Sequence, residues 1–452
     1  MTPHWPPEPG PKKRFVKLCY IKIDSKKILE KIMRHRDGSN KLVPGKSVPK
    51  VLILGAGVAG VRAALHLEEL SQKGELEIVV VDEKTYHLLI PNLHEAATSR
   101  ISAEAVRVPL EQIFRDKNIT FHCAKVSEID LEKKFVLASG VRIPYDFLVI
   151  ALGGRANFYN IPGLREYAFP LRSLGDAESI RAHILEMIEL AVQERNTKKK
   201  KELLTFVVGG VGAAGTQFVT ELADWIRDLR ARYNIGQDDI QIVAVEAMEV
   251  IGIDQPLVRY VYKILKEKGI KLILGVAVQS VDKQTIVLSN GKRIHARTLV
   301  WTGGIRGNGL IERSGLRVNH QGRARVNRFL EAEGDKGVYV IGDASDVIDP
   351  ETGQSGIPSA QMAINEATYV AEHLIARIRK LRKQEYKPHR RGVAISLGRK
   401  DGASIVGKIR LLGKIGKYFK TLTEIRYFYL LGGLKQVVEG LRLRSKEPVQ
   451  TQ

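Results

Sequence analysis

The chain has 452 residues, 44% of them hydrophobic, and a formal net charge of +22. That is apolar material for two or three ordinary cores, and it excludes a compositionally disordered chain. No stretch approaches the roughly 18 uncharged residues that cross a bilayer, Tyr427 to Leu434 being the longest candidate, and prolines and charges in MTPHWPPEPGPKKRF stand where a secretory signal has its apolar core.

The charge is uneven along the chain. Residues 1–49 carry 12 Lys+Arg against 4 Asp+Glu, residues 377–452 carry 20 against 5, and the stretch between is balanced at 40 against 41. A neutral body with basic ends points to an anionic surface met by the ends, not to nucleic acid bound along the body. Cys19 and Cys123 are the only cysteines, so neither a disulfide framework nor a metal site is expected. Cys123, inside the strand-like run ITFHCAKV, reads as a core thiol.

Residues 1–48 form a basic extension without a nucleotide motif, expected to be mobile. The body opens with KVLILGAGVAGVRAALHLEEL, an apolar strand, a glycine-rich turn and a periodic helix, and the strand ELEIVVVDE follows about 20 residues after the loop. A helical stretch spans Ser173 to Gln193, and after the lysine run Lys198 to Lys201 the same unit restarts as LLTFVVGGVGAAGTQFVTELADWI followed by QIVAVEA. Two copies so far apart predict two nucleotide-binding domains, not a solenoid. The fold class is therefore α/β, with two Rossmann-like domains, the second inserted in the first: residues 49–162 and 323–385 form one, and 163–322 the other. VYVIGDASD reads as a strand returning to the first domain.

In Gly55-Ala56-Gly57-Val58-Ala59-Gly60 the first glycine permits the tight turn, the second lets backbone approach a pyrophosphate, and the third lets helix pack on strand. The helix N-terminus then faces the phosphates, and Asp82 closes the next strand, placed for a ribose hydroxyl. Gly210, Gly212 and Gly215 repeat this logic, with Glu246 closing the following strand. A carboxylate there favours NADH, since a 2′-phosphate would meet like charge. Two dinucleotide folds in one chain imply that one cofactor delivers electrons to the other, and NADH with FAD is the obvious pair.

The order LGAGVAG, VVVDEKTYH, LHEAA, IPYDFLVIALGG, IPGL, VVGGVGAAGTQF, VWTGGI, VYVIGDASD and IPSAQMAINEA resembles the type II, non-proton-pumping NADH:quinone oxidoreductases, within the superfamily of two-dinucleotide flavoprotein reductases. The resemblance runs from about residue 49 to 435. It implies cofactor contacts at Gly55, Ala56, Gly57, Ala59, Gly60, Asp82, Glu83, Val126, Ala151, Gly153, Gly342, Asp343, Ala360 and Gln361, and at Gly210, Gly212, Gly215, Glu246 and Gly304. Asp343 would accept from ribityl hydroxyls, and Gln361 would stand between flavin and quinone. Two positions depart from the family pattern. Asn365 replaces a second Gln, with a reach about one methylene shorter, and Gln217 replaces a Glu after the second loop. Gln361, Asn365 and Gln217 are thus the candidate catalytic residues. His87 and His94 in YHLLIPNLHEAA read as structural, because hydride transfer needs position more than a titrating side chain. Disulfide-reductase relatives and sulfide:quinone oxidoreductases need redox cysteines beside the flavin, and neither cysteine here sits in such a place.

Residues 386–452 look like that family's membrane-associating tail. On a helical wheel, IVGKIRLLGKIGKYFK puts Ile405, Ile409, Leu412, Ile415 and Phe419 on one side and Arg410, Lys414, Lys417 and Lys420 opposite, as expected of basic helices lying in an anionic membrane interface. The expected partners are FAD, NADH, a membrane quinone, anionic lipid and a second copy of the chain, at the cytoplasmic face of the membrane. The alternative is a soluble NAD(P)H-dependent flavoprotein reductase whose acceptor is oxygen, ferredoxin or another protein.

Overall fold

The computed structural model describes residues 48–350, 353–382, 384–388 and 392–445. The basic extension with Cys19, apart from Val48, and the last seven residues lie outside the described residues.

The first glycine loop sits between β1 (Lys50–Leu54) and α1 (Val58–Gln72), and β2 (Glu77–Asp82) follows. Val51, Leu52, Ile53 and Leu54 are fully buried, which is why this strand reads as a continuous apolar run instead of an alternating one. A short strand β3 (Tyr86–Leu88), the helical turn α2 (Leu93–Ala97), β4 (Thr120–Cys123) and β5 (Phe147–Ile150) come next. Helix α3 (Leu174–Gln193) starts at a capping box in which Ser173 and Asp176 satisfy each other's backbone N–H. The second unit is β6 (Thr205–Gly209), α4 (Ala213–Tyr233), β7 (Gln241–Val245), β8 (Lys271–Ile273) and β9 (Thr298–Trp301). The chain then passes through β10 (Val338–Val340) into α5 (Ala360–Ile378).

Two five-stranded parallel sheets result. One has the order β10-β5-β1-β2-β4; the other runs from Phe169–Pro170 through β9, β6 and β7 to β8. Both nucleotide units thus form as the repeated pattern predicts, and the strand of VYVIGD pairs with β5 in the first sheet. The two chain crossings between the sheets, Gly154–Ala156 and Ile305–Gly307, pair antiparallel with each other.

The tail departs from the helical-wheel expectation. Strands β11 (Gly392–Leu397), β12 (Asp401–Val406) and β13 (Ile409–Leu412) form an antiparallel sheet, so Ile405, Ile409, Arg410 and Leu412 belong to a hairpin. Helical structure starts only with α6 (Gly413–Ser445), which is broken by non-helical backbone at Gly432 and Gly433. The apolar face does turn outward, with Arg410 and Lys414 exposed beside it, but the basic face is not wholly outward. Lys420 is 7% exposed and pairs with Glu424 at 3.0 Å, whereas Ile415 and Tyr418 are about two-thirds exposed, and Leu422 and Tyr429 also face outward. Periodicity could not reveal the burial of Lys420, because the wheel does not show which residues the body lays against it. A second correction concerns Cys123: it ends β4 at the sheet edge and is exposed. Among the described residues no helix is long and apolar enough to cross a membrane.

Helix α6 and β12 meet through two glycines. A Cβ on Gly402 would lie 2.5 Å from the Lys417 nitrogen, and one on Gly416 would lie 2.5 Å from the Gly402 oxygen. The obstacles are backbone atoms, which cannot rotate away. Gly416→Ala is therefore expected to cost about 2 kcal/mol and lower the thermal midpoint of the full chain by roughly 2 °C, read by circular dichroism; an unchanged midpoint would mean that the helix does not depend on this contact.

Candidate functional site

The glycines of the first loop divide as their roles require. Gly55 has φ +97°, and a Cβ there would lie 2.4 Å from the Ala151 oxygen, while one on Gly60 would lie 1.8 Å from the Gly55 oxygen. Gly57 has open space where its Cβ would be. Helix α1 has no side-chain cap and no acidic residue in its first turn, so its leading N–H groups are left for an anion. A pyrophosphate fits this cradle. Asp82 sets its shape: its two carboxylate oxygens accept from the Ala56 N–H at 2.6 Å and the Lys84 N–H at 2.8 Å, and burial raises its pKa. Glu83 follows Asp82 and is exposed, and Val126 heads the strand after β4.

The second loop repeats the scheme atom for atom. Gly210 has φ +87° with Gly303 against it, Gly215 packs on the Gly210 oxygen, and Gly212 is open to 3.7 Å. Glu246 takes Asp82's part, accepting from the Val211 N–H at 2.6 Å and the Met248 N–H at 3.2 Å. Gly304 has φ +138° in the return crossing, where a Cβ would strike the Tyr159 hydroxyl.

Gly342 brings the remaining first-domain pieces together. With φ +72°, its Cβ position is 3.3 Å from the Ala59 Cβ on α1 and 3.6 Å from the Ala363 Cβ on α5. Asp343, next to it, pairs with Arg172 at 2.6 Å, and the same guanidinium reaches the Gly154 oxygen at 3.3 Å. Gly153, with φ +65°, lies just before that segment. Ser359 caps α5 by accepting from the Met362 N–H, which places Ala360 and Gln361 in its first turn. Asn365 lies one turn on from Gln361 along one face, and both are half-buried.

Gln217 stands elsewhere. It is 8% exposed on α4 and donates to the Ser396 hydroxyl at 3.0 Å, beside the His94 ring at 3.5 Å. His94 and His87 are fully buried, and burial lowers each to about 4, so both are neutral near pH 7. Three residues at this site escaped sequence reading: Arg172, buried Arg323 and Glu366. The signal for Arg172 was its place immediately before the Ser173–Asp176 capping box. Glu366 is buried on α5 and accepts from the Gly342 N–H at 2.6 Å and the Ser345 hydroxyl at 3.1 Å.

Burial raises the Glu366 carboxyl to about 7, against the lowering effect of those hydrogen bonds and of Arg323. A carboxyl raised from its ordinary value of 4.5 favours the fold when neutral, so its contribution is complete below pH 4.5 and is lost as pH rises through 7. The gap corresponds to about 3 kcal/mol. Wild type is therefore expected to lose stability relative to Glu366→Gln between pH 5 and pH 8, measured as thermal midpoints; parallel curves would mean that Glu366 ionises freely.

The comparisons agree with this geometry. The family model for the pyridine nucleotide-disulphide oxidoreductases matches residues 49–367. A type II NADH:quinone oxidoreductase of Staphylococcus epidermidis is 30% identical over 390 residues, covering 85% of this chain and 96% of that protein. One from Staphylococcus aureus is 28% identical over 391 residues, with the same coverage. Among solved structures, NDH2 of Plasmodium falciparum in complex with NADH superposes with a TM-score of 0.79 at 19% identity, covering 88% of this chain and 98% of that one. The sulfide:quinone oxidoreductase of Aquifex aeolicus reaches 0.71 at 22% identity, covering 87% and 92%. By its matched length, its paired glycine loops and its relatives, the chain belongs to the pyridine nucleotide-disulphide oxidoreductases and, among them, to the type II NADH:quinone oxidoreductase family.

Proposed function

We propose that the chain oxidises NADH through FAD and delivers two electrons to a membrane quinone, without pumping protons. The observation that carries this reading is the repeated loop geometry: two glycine cradles, each with an open second glycine and a strand-end carboxylate holding the loop, on two sheets of one chain. The residues of the first cradle fit FAD, with Asp82 at the adenosine end and Gly342–Asp343 and Arg172 further along; those of the second fit NADH, with Glu246 disfavouring a 2′-phosphate. Bound FAD supplies a two-electron carrier between nicotinamide and quinone.

The protein's own part is positioning. Backbone N–H groups at the starts of α1 and α4 hold the two pyrophosphates, and the Arg172–Asp343 pair fixes the turn beside α5. Gln361 and Asn365 offer amides to a quinone from one face of α5, the shorter Asn365 leaving the wider gap. Gln217 cannot titrate, so any proton handed on near it moves through hydrogen bonding of its amide, Ser396 and His94, or through other groups.

The outward apolar face of α6 supports docking on lipid. Charges turned inward and Ile415, Tyr418, Leu422 and Tyr429 turned outward are what an interfacial helix requires, with basic residues such as Lys414 and Arg426 at the rim. We place this surface on the cytoplasmic leaflet, where NADH is found, and include a homodimer in the reading.

Stopped-flow absorbance near 450 nm tests the reaction. NADH should bleach the bound flavin, and a short-chain quinone should restore it much faster than air; restoration by air alone would favour a soluble reductase. With Gln361→Ala, restoration by quinone should slow by roughly tenfold or more, as for loss of one well-placed polar contact. For docking, the full chain should sediment with anionic vesicles, and Ile415→Glu with Leu422→Glu should weaken this roughly tenfold; equal sedimentation would remove α6 from the lipid contact.

A further inference from the structure

Ala56 of the first loop is held at both of its backbone groups. Its N–H goes to Asp82, and its carbonyl receives the His87 Nδ1 at 2.9 Å. A carbonyl can only accept, so Nδ1 carries the ring proton, and the neutral imidazole leaves Nε2 as an acceptor. The Tyr427 hydroxyl lies 2.8 Å from that Nε2 and must be the donor. The two rings lie 5.8 Å apart between centroids, tilted by 48°. Burial lowers the histidine and raises the tyrosine, so the chain Tyr427 O–H to His87 Nε2, His87 Nδ1–H to Ala56 O stays fixed in direction across the neutral range.

Tyr427 belongs to α6, the helix whose other side carries the outward apolar residues. We infer that Tyr427 is a positioning residue for the first glycine loop, so that seating of the C-terminal helix and retention of FAD by that loop are coupled through His87. The inference rests on the reading of this loop as the FAD site. The same helix grips the same segment twice more: the Asn92 amide donates to Glu424 at 3.0 Å, and Arg444 pairs with Glu95 at 2.6 Å. Burial alone would raise Glu95, but the Arg444 and Arg100 guanidiniums outweigh it and hold the carboxyl below the usual range. Segment 87–95 is therefore clamped along its length, and His87 is the point at which the clamp touches the loop.

The test uses the full chain loaded with its flavin, with release followed as the rise of free-flavin fluorescence. Tyr427→Phe keeps the ring and removes one hydrogen-bond donor, leaving the buried His87 Nε2 unpaired; it should speed FAD release about fivefold, while the thermal midpoint of the flavin-free protein falls by only about 1–2 °C. In the His87→Leu background the same change should add little, because the chain is already cut. Release as slow as wild type in Tyr427→Phe overturns the coupling, as does a lowered flavin-free midpoint with unchanged release. If His87→Leu does not fold, Tyr427→Phe alone decides. A wild-type protein that carries no flavin and takes none up would instead remove the FAD reading itself.

Discussion

The fold is organised around a constraint at two peptide groups. Ala56 and Val211 each follow a glycine in the left-handed region, where the strand must turn at once into a helix, and each has its N–H taken by a carboxylate from the end of the next strand. Satisfying that donor internally leaves the following N–H groups, at the start of the helix, as the unsatisfied ones. The sheet order, with β2 beside β1 and β7 beside β6, is what brings each carboxylate within reach. Strand pairing, loop conformation and anion site are thus one problem solved once and used twice.

The rest of the first site is built by close approach. Gly342 lets α1 and α5 come within side-chain contact of one turn, and the buried Glu366 accepts that turn's N–H. Placing a carboxyl there has an electrostatic cost, moderated by Arg323 and by two hydrogen bonds. On the opposite flank, Lys420 and Arg444 of α6 are turned inward to Glu424 and Glu95, while Ile415, Tyr418, Leu422 and Tyr429 face outward beside exposed Lys414 and Arg426.

The glycine loops, their strands, the capped helix at Ser173 and the acidic strand ends were legible in the sequence, because each rests on local steric rules that survive in any context. What was not legible depended on partners distant in sequence. Residues 405–412 have helical spacing of apolar side chains, yet they pair as strands, because β11 offers an edge to β12 and β12 in turn offers one to residues 409–412. Lys420 looks like a headgroup ligand until it is seen buried and paired with Glu424 one turn on. Cys123 has apolar neighbours in sequence but ends an edge strand. Arg172 and Glu366 acquire meaning only once Asp343 and Gly342 are brought to them from up to 171 residues away.

The two chain crossings between the sheets are not independent tethers. Because Gly154–Ala156 and Ile305–Gly307 pair as an antiparallel ribbon, bending one strand relative to the other would break their shared hydrogen bonds. Wide opening of one nucleotide domain from the other, as a pair of single-stranded hinges would allow, is resisted, and the easy motion left is a small twist about the ribbon axis. The spacing between the two cradles is then a property of the folded chain and not of the bound ligands. An electron donor that comes and goes on one side finds the acceptor at the same distance each time, and exchange of the dinucleotide does not require the protein to be rebuilt around it.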